Sequence, residues 1–399
     1  MVCTVMVLAL VAAQSIDLSD GASLLTATGL WLLKPVSLIG LFALTGFGLA
    51  RRVDQSGLRC GYERTGWEFL PALAIAVVLT AFIFGALVTK RRLGSYYFDT
   101  ETWRYLLGAV AFPQYSLPGV FDTNNVASVV NANLGYVPIG IAACVVLLVA
   151  FLAAGRSSVV LLATVGAAIA AGLFFQYPLS LFPFQRTLAS LWVGDTMNVT
   201  VAFFLGAIAY RERSRLVIDR RAGGLVLAAL AIAWIVGSPR MLEDAMVGTL
   251  VTIAVCYLAL LACSLPWPFR HSVKPLEPLL WRIVLLSYPV QQVWMSAGPS
   301  RQSATLNLIL SGPTIIFLAA IQWFLIERPL LRRFGRSLAG WNEWNDVQLA
   351  GDLGGRRSRT PLDHMRSLLP SLIAAAVIVA ITLVAIKLAM FALQKDSAG

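Results

Sequence analysis

The sequence predicts an all-α membrane protein: a polytopic helical bundle of about ten core transmembrane helices, with one extra transmembrane helix at the C-terminal end. Three observations carry this expectation. Of 399 residues, 58% are hydrophobic and only 13% are charged, whereas a soluble domain carries roughly 25% charged residues. Apolar runs recur along nearly the whole chain, each close to the roughly 20 residues that cross a bilayer. About two thirds of the 31 Lys and Arg residues fall on one set of alternate connections, the asymmetry of the positive-inside rule. The net charge of +11 therefore reports membrane topology and not nucleic-acid binding.

Taken in order, spans are expected near 2–14, 28–50, 69–89, 137–154, 158–175, 196–210, 222–238, 244–264, 280–297, 304–326 and 368–393. The first run, "MVCTVMVLALVAA", lacks a basic flank and reads as a membrane helix; the other reading is a leader cut after Ala13. With the N-terminus in the cytoplasm, the inner connections hold Arg51, Arg52, Arg59 and Arg64, then Arg211 to Arg221, then Arg270, Lys274 and Arg282, then Arg328 to Arg366. The C-terminus then falls on the periplasmic side. The long outer connection after the third run contains "FDTETWRYLLGAVAF", with Thr100 expected to cap a short amphipathic helix. Residues 1–334 read as one transmembrane domain, 335–367 as a polar, glycine-rich cytoplasmic linker, and 368–399 as the extra helix and tail.

Candidate chemistry is sparse. The stretch "SLPGVFDTNNVASVVNANLGYVP", Ser116 to Pro138, is polar between two apolar runs and holds four asparagines and one aspartate. The five cysteines have no metal-ligand spacing, and both histidines, His271 and His364, fall in cytoplasmic connections. Lys34 lies a turn or two inside the second span, as a snorkelling anchor or as a functional cation. Asp17 and Asp20 flank the first span, as solvated helix-end acids or, either of them, as a substitute base. Arg64 and Glu68 stand at i and i+4, the spacing of an ion pair on one helix face.

Five fragments, in order, are "LFALTGFGLARR", "TETWRYLLGAVAFPQYSLPGVFDTN", "FFLGAIAYRERSRL", "SYPVQQ" and "IERPLLRRF". Together they resemble the acyltransferase-3 family, bacterial inner-membrane proteins that modify envelope glycans. The resemblance covers about Val5 to Phe334. It implies transfer of an acyl group, acetyl above all, from cytoplasmic acyl-CoA as co-substrate to a hydroxyl of an envelope polysaccharide or glycolipid. It implies no bound cofactor or metal. The implied partners are the lipid bilayer, the glycan acceptor and other polysaccharide-assembly proteins.

Carried over residue by residue, the resemblance places Gln14 at the position of the family's histidine base and Cys3 at that of a nearby arginine. Asn131 and Pro138 match the family's asparagine-containing segment, while Gly135 and Gly140 replace its tryptophan and glutamate. Arg64 survives from a basic pair, with Glu68 in place of the second arginine. The implied site is Gln14, Asn131 and Asp17 for catalysis, and Arg64, Tyr288 and Lys34 for substrate, with Asn131 donating to an oxyanion or an acceptor sugar. Glutamine cannot accept a proton near neutral pH, and general-base assistance is worth about 10²–10⁴-fold. Two further readings therefore stand beside the enzyme: an inactive relative serving polysaccharide assembly, and a transporter or flippase using the same bundle.

Overall fold

The computed structural model describes residues 2–20, 32–108, 114–126, 128–154, 158–176, 195–214, 219–236, 245–265, 274–297 and 303–330. Every regular element among them is helical. The long helices are α1 (Val2–Asp20), α2 (Leu33–Ser56) and α3 (Leu58–Val88), the last with a π-helical turn at Leu79–Phe84. Two short helices follow, α4 (Leu93–Tyr97) and α5 (Thr100–Gly108), and then α6 (Tyr136–Ala154), α7 (Ser158–Gln176) and α8 (Asp195–Arg211). The remainder are α9 (Arg220–Val236), α10 (Ala245–Ser264), α11 (Leu280–Ser296) and α12 (Ala304–Leu330), which carries a second π-helical turn at Gln322–Glu327.

Six of these helices are long and apolar enough to cross a membrane: α1, α2, α3, α6, α10 and α12. The described parts of α8 and α9 have 17 residues each, as does α11, which follows directly on the 3₁₀ helix Lys274–Leu279. Large apolar side chains face outward on helix after helix: Leu87, Val159, Leu225, Leu250 and Leu325 are all largely exposed. That is what a lipid-facing bundle requires and a water-facing one avoids. The expected eleventh span at 368–393 and the linker 335–367 lie outside the described residues.

Helix ends differ from the sequence expectation in ways that matter for the site. α1 continues to Asp20, so Asp17 sits on the helix and not beyond it. α3 begins at Leu58, because Gly57 (φ 83°) makes the left-handed turn out of α2; Arg64 and Glu68 are thus helical. The cap of α5 is Asp99, whose carboxylate accepts from the Glu101 amide at 2.9 Å. Its charge complements the helix N-terminus better than the Thr100 hydroxyl would.

Two cores meet along α2. One joins α1, α3, α11 and α12 with the connection between α3 and α6. The other joins α2, α6, α7 and α8, and α10 closes onto α2 and α8 through Val251, Val255 and Cys256. Among the described residues the α2–α8 crossing is the most closely packed. A methyl group on Gly46 would overlap the Phe203 carbonyl oxygen, and one on Gly206 would overlap that of Ala43. Without a strong hydrophobic drive between helices in lipid, such close backbone approach supplies the packing that holds the pair.

Candidate functional site

Pro289 lies inside α11. A proline there has no amide hydrogen, so the carbonyl four residues earlier, that of Leu285, loses its helical donor. In a membrane bundle another group must supply it. That group is Asn131, whose Nδ2 donates to the Leu285 oxygen at 2.9 Å. Its Oδ1 accepts from the Asn133 amide at 3.1 Å, capping the 3₁₀ turn Ala132–Gly135 that leads into α6.

Asn133 extends the arrangement. Its Nδ2 donates to the Val284 carbonyl at 2.6 Å and to Ser287 Oγ at 3.1 Å. Its Oδ1 accepts from Gln14 Nε2 at 2.6 Å. Ser287 Oγ closes the ring by donating to Gln14 Oε1 at 2.8 Å. Gln14, Ser287, Asn131 and Asn133 are all buried, at 5% exposure or less. The result is a neutral amide–hydroxyl layer in which Gln14 is bonded at both ends of its carboxamide.

A second set of bonds fastens the same connection one turn further along α11. Asn124 Nδ2 donates to the carbonyl of Gln292 at 2.9 Å and to its Oε1 at 2.6 Å. Gln292 Nε2 donates back to the carbonyls of Val126 and Val129, at 3.1 and 3.0 Å. Phe121, buried at 2% exposure, is held at φ 60°, a conformation costly for a bulky side chain unless its surroundings over-determine it. The described residues of the Ser116–Pro138 stretch therefore form a hydrogen-bonded wall against α11.

Other expected site residues fall around this layer or far from it. Tyr288 is buried in an apolar cluster with Leu18 and Met295. Asp17 pairs with Lys34 at 3.0 Å, each about one-third exposed, so Lys34 has an acidic partner and holds the start of α2 to the end of α1. Arg64 belongs elsewhere. It pairs with Glu68 at 3.3 Å, and Glu68 also takes Arg52 at 2.7 Å. Lys34 and Arg52 share α2 and stand 18 residues apart, about 27 Å of helix rise. The structure thus groups Gln14, Asn131 and Tyr288, with Asp17 and Lys34 one turn away, and puts Arg64 at the other end of the bundle. Gly135 has the Tyr115 hydroxyl close above its Cα, leaving no room for a tryptophan without displacing that ring; beside Gly140 a Cβ would make ordinary contact with the Phe42 ring.

Reading the sequence missed several residues. Asn133, Ser287 and Gln292 carry most of the network, and the only cue was a polar run around a proline in an otherwise apolar helix, "SYPVQQ". Arg282, expected in a cytoplasmic connection, is inside the bundle at 4% exposure. Its Nε donates to Glu327 Oε1 at 3.0 Å and its Nη2 to Glu327 Oε2, with Glu327 fully buried.

Chemically, the Gln14 layer can orient and fasten, but it holds no group that exchanges a proton near neutral pH, since amides and hydroxyls do not titrate there. Among the described residues no three His, Cys, Asp or Glu side chains converge on a point that could hold a metal ion. No family model, curated protein or solved structure matches this chain.

Proposed function

We propose that this chain is an acyltransferase-3-like protein of the bacterial cytoplasmic membrane whose acyl-transfer centre has become structural. In this reading it serves envelope polysaccharide assembly as a non-catalytic partner. It takes ten core spans with the N-terminus in the cytoplasm from the run lengths and the Lys/Arg asymmetry of the sequence, and an eleventh span from the apolar run 368–393. One observation carries the reading: the Gln14 carboxamide is bonded by Asn133 and by Ser287 in a buried layer. A base must be free to take a proton from a hydroxyl. Gln14 lacks that chemistry, and both ends of its carboxamide are already engaged. Asn131, expected to steady an oxyanion, already serves the Leu285 carbonyl and the Asn133 amide.

A second reading keeps acyl transfer from acetyl-CoA to a glycan hydroxyl, with Asp17 as the base. It is favoured by the place of Asp17, three residues after Gln14 on α1 and partly exposed. The test uses membranes holding the full chain, radiolabelled acetyl-CoA and the envelope glycan fraction. The expected outcome is no label from wild type and label from Gln14→His. Label from wild type that disappears in Asp17→Asn establishes the second reading and removes the first.

A further inference from the structure

The interface of α1, α11 and α12 holds an unusual share of unpaired polarity. Among the described residues, eight buried side-chain nitrogen and oxygen atoms lack a protein partner. Five of them belong to Thr4, Gln291, Asn307 and Ser311. Asn307 is unpaired at both ends of its carboxamide, and these four residues are at most 1% exposed.

Their placement is coherent. Ser15 Oγ donates to the carbonyl of Ala304, the first residue of α12, at 2.7 Å. Because α12 starts at that contact and stays packed on α1, the two helices run antiparallel. Asn307 and Ser311, one helical turn apart on one face of α12, therefore meet successive turns of α1 on the way from Ser15 towards Thr4. Thr4, Val11 and Ser15 share one face of α1, spaced seven and four apart. Gln291 enters from α11, its Nε2 donating to the Val11 carbonyl at 2.8 Å while its Oε1 stays unpaired.

The chemistry of this seam selects its ligand. Asn307 offers donors and an acceptor, Ser311 and Thr4 each offer a hydroxyl that does both, and Gln291 Oε1 accepts. None is charged, so the seam suits an uncharged molecule that donates and accepts in equal measure. Leaving these groups dry is costly in a low-dielectric interior, and buried polar groups of this kind are met by water with two to four polar partners. We propose that a short file of ordered water molecules occupies the seam, bonded to Asn307, Ser311, Thr4 and Gln291 Oε1. From the level of Asn307, about one turn from Ser15, to Thr4 the file follows about 12 Å of α1, and it joins α1 to α12 through solvent. The inference holds whether or not the protein transfers acyl groups.

The test is X-ray hydroxyl-radical footprinting of the full chain in lipid nanodiscs, read by mass spectrometry. Radicals form from water where it is bound, abstract hydrogen from the nearest side chains, and the carbon radicals then take up dissolved O₂. Val7, Val11 and Ile315, buried beside the seam, are expected to be oxidised. Leu147 and Leu161, buried in the other core, serve as the dry reference. In Asn307→Leu the seam labelling drops severalfold and the Tm falls, because a leucine strands the water held by Ser311 and Thr4. Ser311→Ala, a smaller change, gives a partial loss and guards against misfolding of the first variant. Seam side chains labelled no more than the reference, or a higher Tm in Asn307→Leu, overturn the proposal.

Discussion

Two buried polar assemblies share α11 and solve the same problem in opposite ways. Ser287 anchors the neutral layer with Gln14 and Asn133. Five residues earlier, about 7.5 Å along the helix, Arg282 forms a fully buried ion pair with Glu327. The neutral layer spreads its bonds over several side chains and backbone carbonyls, so each contributes modestly and each is satisfied. The ionic assembly concentrates everything on one guanidinium. Arg282 takes both carboxylate oxygens, donates to the Pro278 carbonyl and lies 4.4 Å from the centre of the Trp323 ring. Gln322 braces Glu327 Oε1 at 2.8 Å and ties it to the Ala72 carbonyl of α3 at 3.0 Å. The difference is instructive because a charge desolvated in the bundle must be neutralised locally, whereas an amide needs only a correctly placed partner.

The two assemblies should therefore respond differently to loss of one member. Glu327→Ala leaves Arg282 charged and unpaired, and is expected to cost about 3–5 kcal/mol, seen as a large Tm drop and poor yield in detergent. The double variant Arg282→Met, Glu327→Leu should recover most of that loss, since apolar replacement of a whole buried pair is often near neutral. A double variant as unstable as the single one would show that Pro278 and Trp323, and not charge pairing, need the arginine.

Asn131→Ala tests the neutral layer. It strands the Leu285 carbonyl and is expected to cost about 1–3 kcal/mol. The same change in a Pro289→Ala background should cost far less, because the restored amide hydrogen supplies Leu285 from within the helix. Equal costs in both backgrounds would contradict the role given to Pro289. The smallest effect is expected at the Asp17–Lys34 pair, which is partly exposed; Lys34→Met should shift stability by about 1 kcal/mol or less, and less still at high salt.

Much of the bundle was legible because hydrophobic run length is a local property. Six of the runs expected through residue 326 fall on helices long and apolar enough to cross a membrane, and the Arg64–Glu68 pair follows from i,i+4 spacing alone. Boundaries were less legible: a helix that passes out of the apolar zone continues on hydrogen bonding, not on hydropathy, so α1 reached Asp20 and α3 began at Leu58. The site was legible only in part. Gln14 and Asn131 could be singled out, but their partners could not. The Gln14–Ser287 bond joins residues 273 apart in the chain, and the Arg282–Glu327 bonds join residues 45 apart.

Composition and the lengths of apolar runs were enough to predict an all-helical bundle with several helices able to cross a membrane, because burial in lipid constrains every helix separately. Which polar side chains are structural depends on pairing, and pairing is a property of the assembled bundle. Nothing local to Asn131 says that it replaces the hydrogen bond removed by Pro289, and nothing local to Arg282 distinguishes a cytoplasmic anchor from a buried ion. Those distinctions arise only when α1, α11, α12 and the Ser116–Pro138 wall come together, since a hydrogen bond or ion pair in a low-dielectric interior is decided by the partner within reach.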